Sequence, residues 1–207
     1  MSDIAPNQTE RRQAQDGYFS GSRRFVEPQS GLTIVNVHAG DCYVTQSRQE
    51  VAATVLGSCV SACIRDPVAK VGGMNHFLLP TSQSDDASSA RFGAFAMEQL
   101  INEILKRGGL RERLEVKLFG GGNVIKSSAL IGTKNAAFAE HYLKREGISI
   151  IGKDVGGKWP RKVRYTPLTG KALVRKLQRD DDYKQVEREE GAYQTQITAP
   201  SVKNDIE

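Results

Sequence analysis

The fold depends first on one stretch, Val60-Ser-Ala-Cys-Ile-Arg-Asp-Pro-Val-Ala-Lys-Val-Gly-Gly-Met-Asn-His-Phe77. Residues 60–65 and 70–77 predict two strands, and the turn 66–69 between them begins with Asp-Pro, which favours a type I turn. If the turn closes on its two flanking residues, paired positions sum to 135, and Cys59 lies opposite His76. Directly opposed residues of an antiparallel pair have Cβ atoms about 4.5–5.5 Å apart. The sequence therefore predicts a thiol beside an imidazole, a register that a one-residue bulge would spoil.

This pairing suits nucleophilic chemistry. An imidazole beside a thiol can take its proton, stabilise the thiolate and later protonate a leaving amine. Gly57, which precedes Ser58 and Cys59, suits a tight turn with a positive φ that turns consecutive N–H groups toward a developing oxyanion. The alternative is structural, with Cys59 a small buried apolar residue and His76 a satisfied polar group.

Length and composition predict one domain with tails. The chain has 207 residues, of which 39% are apolar, and no run of 18 apolar residues. Its first residues lack the basic and apolar regions of a signal peptide, so we expect a cytoplasmic protein without membrane insertion. The three cysteines cannot all pair, and Cys59 and Cys63 lie too far apart along one strand for a disulfide. Reduced thiols are therefore expected.

The two ends differ from the middle. Residues 1–30 and 181–207 are polar with little periodicity and predict disordered tails around a domain at 31–180. The formal net charge is +5, the N-terminal tail is neutral and the C-terminal tail is −4, so the domain carries +9. Its basic stretches, 158–164 and 171–179, could attract an acidic partner, although a solvated face is the favoured interpretation. No aromatic interleaving or motif supports nucleic-acid binding.

Periodicity predicts strands followed by strand and helix segments. The predicted strands after the N-terminal tail, in addition to the hairpin, are 33–38, 43–45, 51–56, 114–119, 148–153, 161–166 and 171–177. Two helices are predicted at 89–106 and 133–146, each ended by glycine. The first carries an apolar stripe of Phe92, Phe95, Ala96, Leu100, Ile101, Ile104 and Leu105. This order predicts an α+β protein, a layered sandwich of mixed β-sheet covered by helices.

Neither a cofactor nor a metal is predicted. The triplet Gly120-Gly-Gly122 lacks the spacing of a P-loop or a dinucleotide site and instead favours a tight strand-to-helix turn. His38, His76, His141 and the cysteines have neither Cys-x-x-Cys nor His-x-x-x-His spacing.

Five ordered blocks carry a resemblance to a known family. They are Leu56-Gly-Ser-Cys-Val60, Gly73-Met-Asn-His-Phe-Leu-Leu-Pro80, Lys117-Leu-Phe-Gly-Gly-Gly122, Ile131-Gly-Thr-Lys-Asn135 and Asp154-Val-Gly-Gly157. Over roughly residues 31–178 the chain resembles the CheD family of chemoreceptor glutamine deamidases. The resemblance implies a cytoplasmic hydrolase of chemotaxis that converts receptor glutamines to glutamates, with a fold related to the catalytic domains of deamidating bacterial toxins. It also implies binding to receptor cytoplasmic domains, and to the phosphatase CheC in organisms that have it.

The resemblance also implies the site. Cys59 matches the nucleophile of the family and His76 its base, and a threonine shortly before the cysteine is the third member. Thr54 lies five residues before Cys59, whereas Ala53 occupies the position six before, where some members place that threonine. We assign the role to Thr54, whose hydroxyl could orient His76 or bond the substrate amide.

Three other functions stay open at this point. A cysteine peptidase or transglutaminase-like enzyme would use the same thiol chemistry on another substrate. A non-catalytic chemotaxis adaptor would bind CheC or the receptor with Cys59 incidental. An oxidisable sensor thiol is the third, although Cys63 is poorly placed as its resolving partner.

Overall fold

The computed structural model describes residues 23–80, 86–124 and 130–198. Within these residues the protein has two five-stranded sheets and three α-helices. The strands are β1 (Arg24–Val26), β2 (Thr33–Asn36), β3 (Cys42–Thr45), β4 (Glu50–Leu56), β5 (Val60–Asp66), β6 (Val71–Asn75), β7 (Glu115–Gly120), β8 (Ile150–Val155), β9 (Arg161–Thr166) and β10 (Lys171–Lys176). The helices are α1 (Asp86–Lys106), α2 (Ile131–Arg145) and α3 (Asp180–Thr198). A 3₁₀ turn occupies Arg111–Arg113.

Both sheets are mixed. The first has the order β1-β2-β4-β9-β10, in which β2 and β4 are parallel. The second has the order β3-β6-β5-β7-β8, in which β7 and β8 are parallel. The remaining neighbours are antiparallel. The prediction of an α+β layered sandwich with mixed sheet is confirmed.

Alternation along β5 builds two cores. Val60, Ala62 and Ile64 point to a core shared with α1 and α2. Cys63 faces the opposite way, into a core shared with Val163 and other residues of the first sheet. Because successive strand residues face opposite sides of a sheet, one buried strand can hold both layers together. The order of layers is therefore first sheet, second sheet, then α1 and α2.

The predicted hairpin forms, but its register is shifted by two. β5 and β6 pair Cys63 with Met74 and Asp66 with Val71, so paired positions sum to 137 and not to 135. The Asp66 carboxylate accepts the N–H groups at positions 68 and 69, and Lys70 takes a positive φ of 52°. Because of these contacts the loop comprises residues 67–70. Both of its ends lie one position later than predicted.

The shift changes how Cys59 and His76 meet. An isolated bridge joins Val60 to Phe77, the residues that follow them. Cys59 and His76 are therefore diagonal neighbours and not directly opposed. A shift by an even number leaves both side chains on the predicted face of the sheet.

The helices match the predicted pattern with local differences. α1 begins three residues earlier than predicted, and α2 spans Ile131–Arg145 where 133–146 was expected. Leu100, Ile101 and Ile104 are buried, each contributing about 1.5–3 kcal/mol through apolar burial. Phe95 is wrongly placed in the stripe, because its side chain is 66% exposed. None of the described helices is both long enough and apolar enough to cross a membrane.

The predicted tails need correction. Residues 181–198 were expected to be disordered, but α3 begins at Asp180 and continues to Thr198. Its contacts recur at helical spacing: Tyr183, Val186, Glu190 and Tyr193 all touch the domain. Few of these contacts are apolar, so composition alone pointed to disorder. At the other end β1 lies within the expected N-terminal tail, while positions 1–22 and 199–207 are outside the described residues.

The basic stretch 158–164 is not an open cationic face. Arg161 is buried and pairs with Asp154 at 2.8 Å. Arg164 pairs with Glu27 at 2.7 Å. Two of its cations are thus committed to internal ion pairs. Strand β10, by contrast, has most of its side chains exposed to solvent, as a solvated face requires.

Asp66 provides a stability test of the hairpin. Its buried carboxylate accepts four partners: the N–H groups of Val68, Ala69 and Leu110, and the guanidinium of Arg113. We expect Asp66→Ala to lower the free energy of unfolding by about 2–3 kcal/mol, because these donors lose their acceptor. Asp66→Asn should cost less, since the amide oxygen still caps the turn. Urea denaturation at pH 7 measures both.

The effect should depend on pH with a defined sign. Hydrogen bonds from Arg113 and the turn lower the pKa of Asp66 to about 2 despite its burial. The ionised carboxylate therefore stabilises the fold above the unfolded pKa, and this contribution is lost as pH falls from about 4 toward 2. Equal stability of wild type and both variants at pH 7 would contradict this role.

Candidate functional site

The site is built on the turn 57–59, where the chain leaves β4 in the first sheet and enters β5 in the second. All three carbonyl groups of this turn have donors on one side. They accept the Gly122 N–H, the Asn135 side-chain amide and the Gly121 N–H at 2.7, 2.8 and 2.7 Å, in chain order. The three N–H groups of the turn point to the opposite side, away from these donors.

The glycine triplet makes this close approach possible. Gly120 and Gly121 have φ angles of 104° and 62°. A Cβ at position 120 would lie 2.1 Å from the carbonyl oxygen of Cys59, which no side chain could tolerate. The triplet is therefore a clamp on the turn that carries Cys59. It is not the tight strand-to-helix turn that was expected, because β7 ends at Gly120 and α2 begins only at Ile131.

A carboxylate from α3 receives the three N–H groups. Glu190 Oε1 accepts the Gly57 and Cys59 N–H groups at 2.8 and 3.1 Å. Its Oε2 accepts the Ser58 N–H at 2.8 Å and the Ser58 hydroxyl at 2.5 Å. Convergent backbone donors of this kind bind a negatively charged oxygen. Glu190 is itself only 4% exposed.

Thr54 fixes the imidazole of His76. The Thr54 hydroxyl lies 2.8 Å from His76 Nδ1 and 2.7 Å from the carbonyl oxygen of Val37, which is also 3.2 Å from Nδ1. Nδ1 faces a carbonyl that can only accept, so the network assigns the proton to Nδ1, and the Thr54 hydroxyl donates to Val37. His76 Nε2 is buried without a hydrogen-bond partner among the described residues. It is therefore left as the basic nitrogen.

The backbone of His76 is anchored to the loop after β2. The Gly40 N–H donates to the His76 carbonyl at 2.7 Å, and the His76 N–H donates to the Asp41 carbonyl at 3.0 Å. These bonds and the bridge from Phe77 to Val60 hold the ring beside the turn that carries Cys59.

Cys59, His76 and Glu190 come together in the interior. One ligating atom from each lies within 4.8 Å of the others. These are ligand types that zinc accepts. A carboxylate offers about four acceptor positions, however, and three N–H groups and a hydroxyl already use those of Glu190. The donor set therefore fits an anionic oxygen better than a cation.

Electrostatics leave the pair uncharged in this arrangement. Burial raises the pKa of Cys59 well above its ordinary value, and the charge of Glu190 raises it further. Burial lowers the pKa of His76, an effect that the charge of Glu190 opposes. At neutral pH the site thus holds a thiol and a neutral imidazole.

The structure brings together every residue that the sequence suggested, with one correction. Cys59, His76 and Thr54 are in the same site, whereas Ala53 packs with Ile34 and Val51 in a separate apolar cluster. Gly57 does not adopt the expected positive φ. Its lack of a side chain matters instead because a Cβ would come within 2.6 Å of Val186 on α3.

Neither Glu190 nor Asn135 was predicted from the sequence as a site residue. Asn135 belongs to one of the quoted blocks and bonds both the Ser58 carbonyl and, at 3.0 Å, the Leu79 N–H. Its block gave a signal, but periodicity assigned it only to a helix. Glu190 had no motif, and only its helical spacing from Val186 and Tyr193 could have indicated a docked face.

Comparison with known proteins identifies the family. The family model described as "CheD chemotactic sensory transduction" matches residues 78–176. A relative from Rhodopseudomonas palustris, named "Probable chemoreceptor glutamine deamidase CheD", is 48% identical over 89% of this chain and 88% of its own. The chain belongs to the CheD family.

Other members support the same assignment. Relatives of the same name from Hydrogenovibrio crunogenus and Hahella chejuensis are 42% and 41% identical, over 89% and 92% of this chain and 98% and 92% of their own. A crystal structure of a Neisseria meningitidis protein matches with a TM-score of 0.43 and 13% identity, over 76% of this chain and 72% of that chain. That similarity is too low to indicate function.

The tautomer of His76 can be tested without a substrate. We expect ¹⁵N-histidine NMR at pH 7 to show neutral His76 with the proton on Nδ1, because Thr54 and Val37 accept it. The pKa of His76 should be lower than the ordinary value of about 6.5. Thr54→Val should increase the Nε2–H form, whereas Thr54→Ser should not. A wild-type ring protonated on Nε2 would contradict the assignment.

Proposed function

We propose that the chain deamidates glutamine side chains of chemoreceptor cytoplasmic domains, converting them to glutamates with release of ammonia. The family membership supports the reaction class, and the relatives are named for it. The observation that carries the proposal is the convergence of three groups on one buried point: a thiol, an imidazole nitrogen that has no hydrogen-bond partner in the described part of the chain, and three backbone N–H groups.

The first half of the proposed reaction makes a thioester. His76 Nε2 takes the proton from Cys59 Sγ, and the thiolate attacks the carboxamide carbon of the glutamine. The substrate oxygen becomes an oxyanion held by the N–H groups of residues 57–59, including Gly57 and Ser58. The C–N bond then breaks, and ammonia leaves with the proton from His76.

The second half restores the enzyme. Water loses a proton to His76 Nε2 and attacks the thioester carbon. The C–S bond breaks, Cys59 recovers a proton and glutamate is released. No cofactor or metal is needed to balance this sequence. Thr54 acts through His76 as a positioning residue, since its hydroxyl contacts Nδ1.

The same site could hydrolyse a second acyl group. A glutamyl methyl ester presents the same carbonyl to Cys59, with methanol replacing ammonia as the leaving group. We therefore propose receptor glutamyl methylesterase activity at this site. We also propose that the protein is cytoplasmic and that it binds CheC in organisms that have a CheC. A non-catalytic adaptor that binds the receptor or CheC is the alternative outcome of the test.

Replacement of Cys59 tests the reaction directly. We expect Cys59→Ala to abolish a gain of about 1 Da at a receptor glutamine, measured by peptide mass spectrometry after incubation, because amide hydrolysis requires the nucleophile. His76→Ala should slow the reaction at least about 100-fold, the usual contribution of a general base. Cys63→Ala is the matched control, since Cys63 is an equally buried free thiol in the same apolar cluster as Cys59.

Two further arms decide between enzyme and adaptor. Thr54→Ser should retain more activity than Thr54→Val, because serine keeps the hydroxyl group. If Thr54 only filled space, valine, which has the shape of threonine, would be the better replacement. Activity should persist after dialysis against a chelator, because the thiolate and imidazole supply the nucleophile. Receptor binding without any Cys59-dependent mass gain, both in wild type and in a variant from which α3 is displaced, would leave the adaptor as the function.

A further inference from the structure

The active site is filled by the chain itself. Both oxygens of the Glu190 carboxylate are bonded to the turn that carries Cys59, through three backbone N–H groups and the Ser58 hydroxyl. Cys59 is fully buried and His76 is 2% exposed. A receptor side chain therefore cannot reach the thiol while α3 occupies this position.

Glu190 has the chemistry of a reaction product. Deamidation of a glutamine leaves a γ-carboxylate on a side chain of the length of glutamate, next to the N–H groups that held the oxyanion. Glu190 presents that group to those donors, with an oxygen, the thiol sulfur and an imidazole nitrogen mutually within 4.8 Å. A buried carboxylate is costly unless fully hydrogen bonded, and here the product-binding donors supply the bonds.

The helix is otherwise lightly attached. Among the described residues of α3, only Val186 and Glu190 are fully buried. Val186 packs on Val55 and Leu177, and Tyr193 contacts the loop at Gly40. Tyr183 donates to the Lys158 carbonyl and packs edge-on against Trp159, and the other side chains of α3 are exposed or partly exposed. The helix is therefore held by a small number of apolar side chains.

While docked, α3 also opposes activation of the nucleophile. Burial raises the pKa of Cys59, and the negative charge of Glu190 beside it raises that pKa further, so both disfavour the thiolate. A negative group so close to the sulfur suits a resting site and not one that holds a neutral carboxamide substrate.

We propose that α3 is an internal product analogue that closes the active site, and that position 190 is an intramolecular substrate position. This rests on the proposed deamidase function. It follows that a glutamine at position 190 would be converted to glutamate by the chain's own Cys59. The stoichiometry of this reaction is the same as that of the receptor reaction: one water is consumed, the C–N bond breaks and ammonia leaves.

The test is the mass of the Glu190→Gln variant as purified. We expect the introduced carboxamide to be converted, so that the peptide containing it gains about 1 Da over its encoded mass, as amide hydrolysis requires. Glu190→Gln combined with Cys59→Ala should keep the encoded mass. Glu189→Gln is the matched control, because its side chain is exposed on the same helix, and it should also keep the encoded mass.

A second variant tests whether α3 closes the site, without requiring deamidation at position 190. Val186→Asp puts a charge into the buried contact with Val55 and Leu177, so α3 should leave the site. We expect alkylation of Cys59 by iodoacetamide to become at least about tenfold faster than in wild type, since a buried unpaired charge is strongly unfavourable. Receptor deamidation should rise in the same variant.

The outcomes separate the two proposals. If receptor glutamine is converted in a Cys59-dependent way but the Glu190→Gln variant keeps its introduced amide, the internal-substrate proposal is wrong and the deamidase proposal stands. If neither that amide nor any receptor glutamine is converted, both are wrong. Alkylation of Cys59 that is no faster in Val186→Asp would also overturn the closure by α3.

Discussion

The structure depends on how three consecutive backbone N–H groups are satisfied at the point where the chain changes sheets. Residues 57–59 leave β4 and enter β5, and a buried N–H without a partner costs as much as a lost hydrogen bond. Gly121 and Gly122, which follow β7, and Asn135 of α2 donate to the carbonyl groups of the turn, which directs all three N–H groups of the turn to one place. The glycine clamp holds the turn in that conformation, and Glu190 of α3 binds to the three N–H groups that it presents.

A second network gives the imidazole a direction. Thr54 lies on β4 and Val37 follows β2, two neighbouring strands of the first sheet, while His76 follows β6 of the second. Their contact joins the two sheets at the point where the turn also crosses between them. Since Nδ1 is committed to this network, Nε2 is the nitrogen that can exchange a proton with Cys59. The position of His76 thus depends on the whole sandwich and not on the hairpin alone.

The sequence predicted the layers and much of the site because those depend on local signals. Alternation in β9, helical periodicity in α2 and the Asp-Pro turn were each visible, and β9 has the predicted bounds. The hairpin register was wrong because Asp66 caps the turn and Lys70 takes a positive φ, which are side-chain and backbone choices that the Asp-Pro pair does not specify. Glu190 could not be found, because its partners are 131 or more positions away and its helix is polar almost all round.

The central claim is that Cys59 becomes acylated by a glutamine side chain. Rapid acid quench of the Val186→Asp variant with a receptor cytoplasmic domain, followed by intact mass spectrometry, tests it most directly. We expect a covalent enzyme–receptor species about 17 Da lighter than the sum of the two proteins, because thioester formation releases ammonia. This species should be absent in Cys59→Ala. Receptor deamidation in the Val186→Asp variant that proceeds unchanged after Cys59→Ala is added, with no such species at any quench time, would contradict the account.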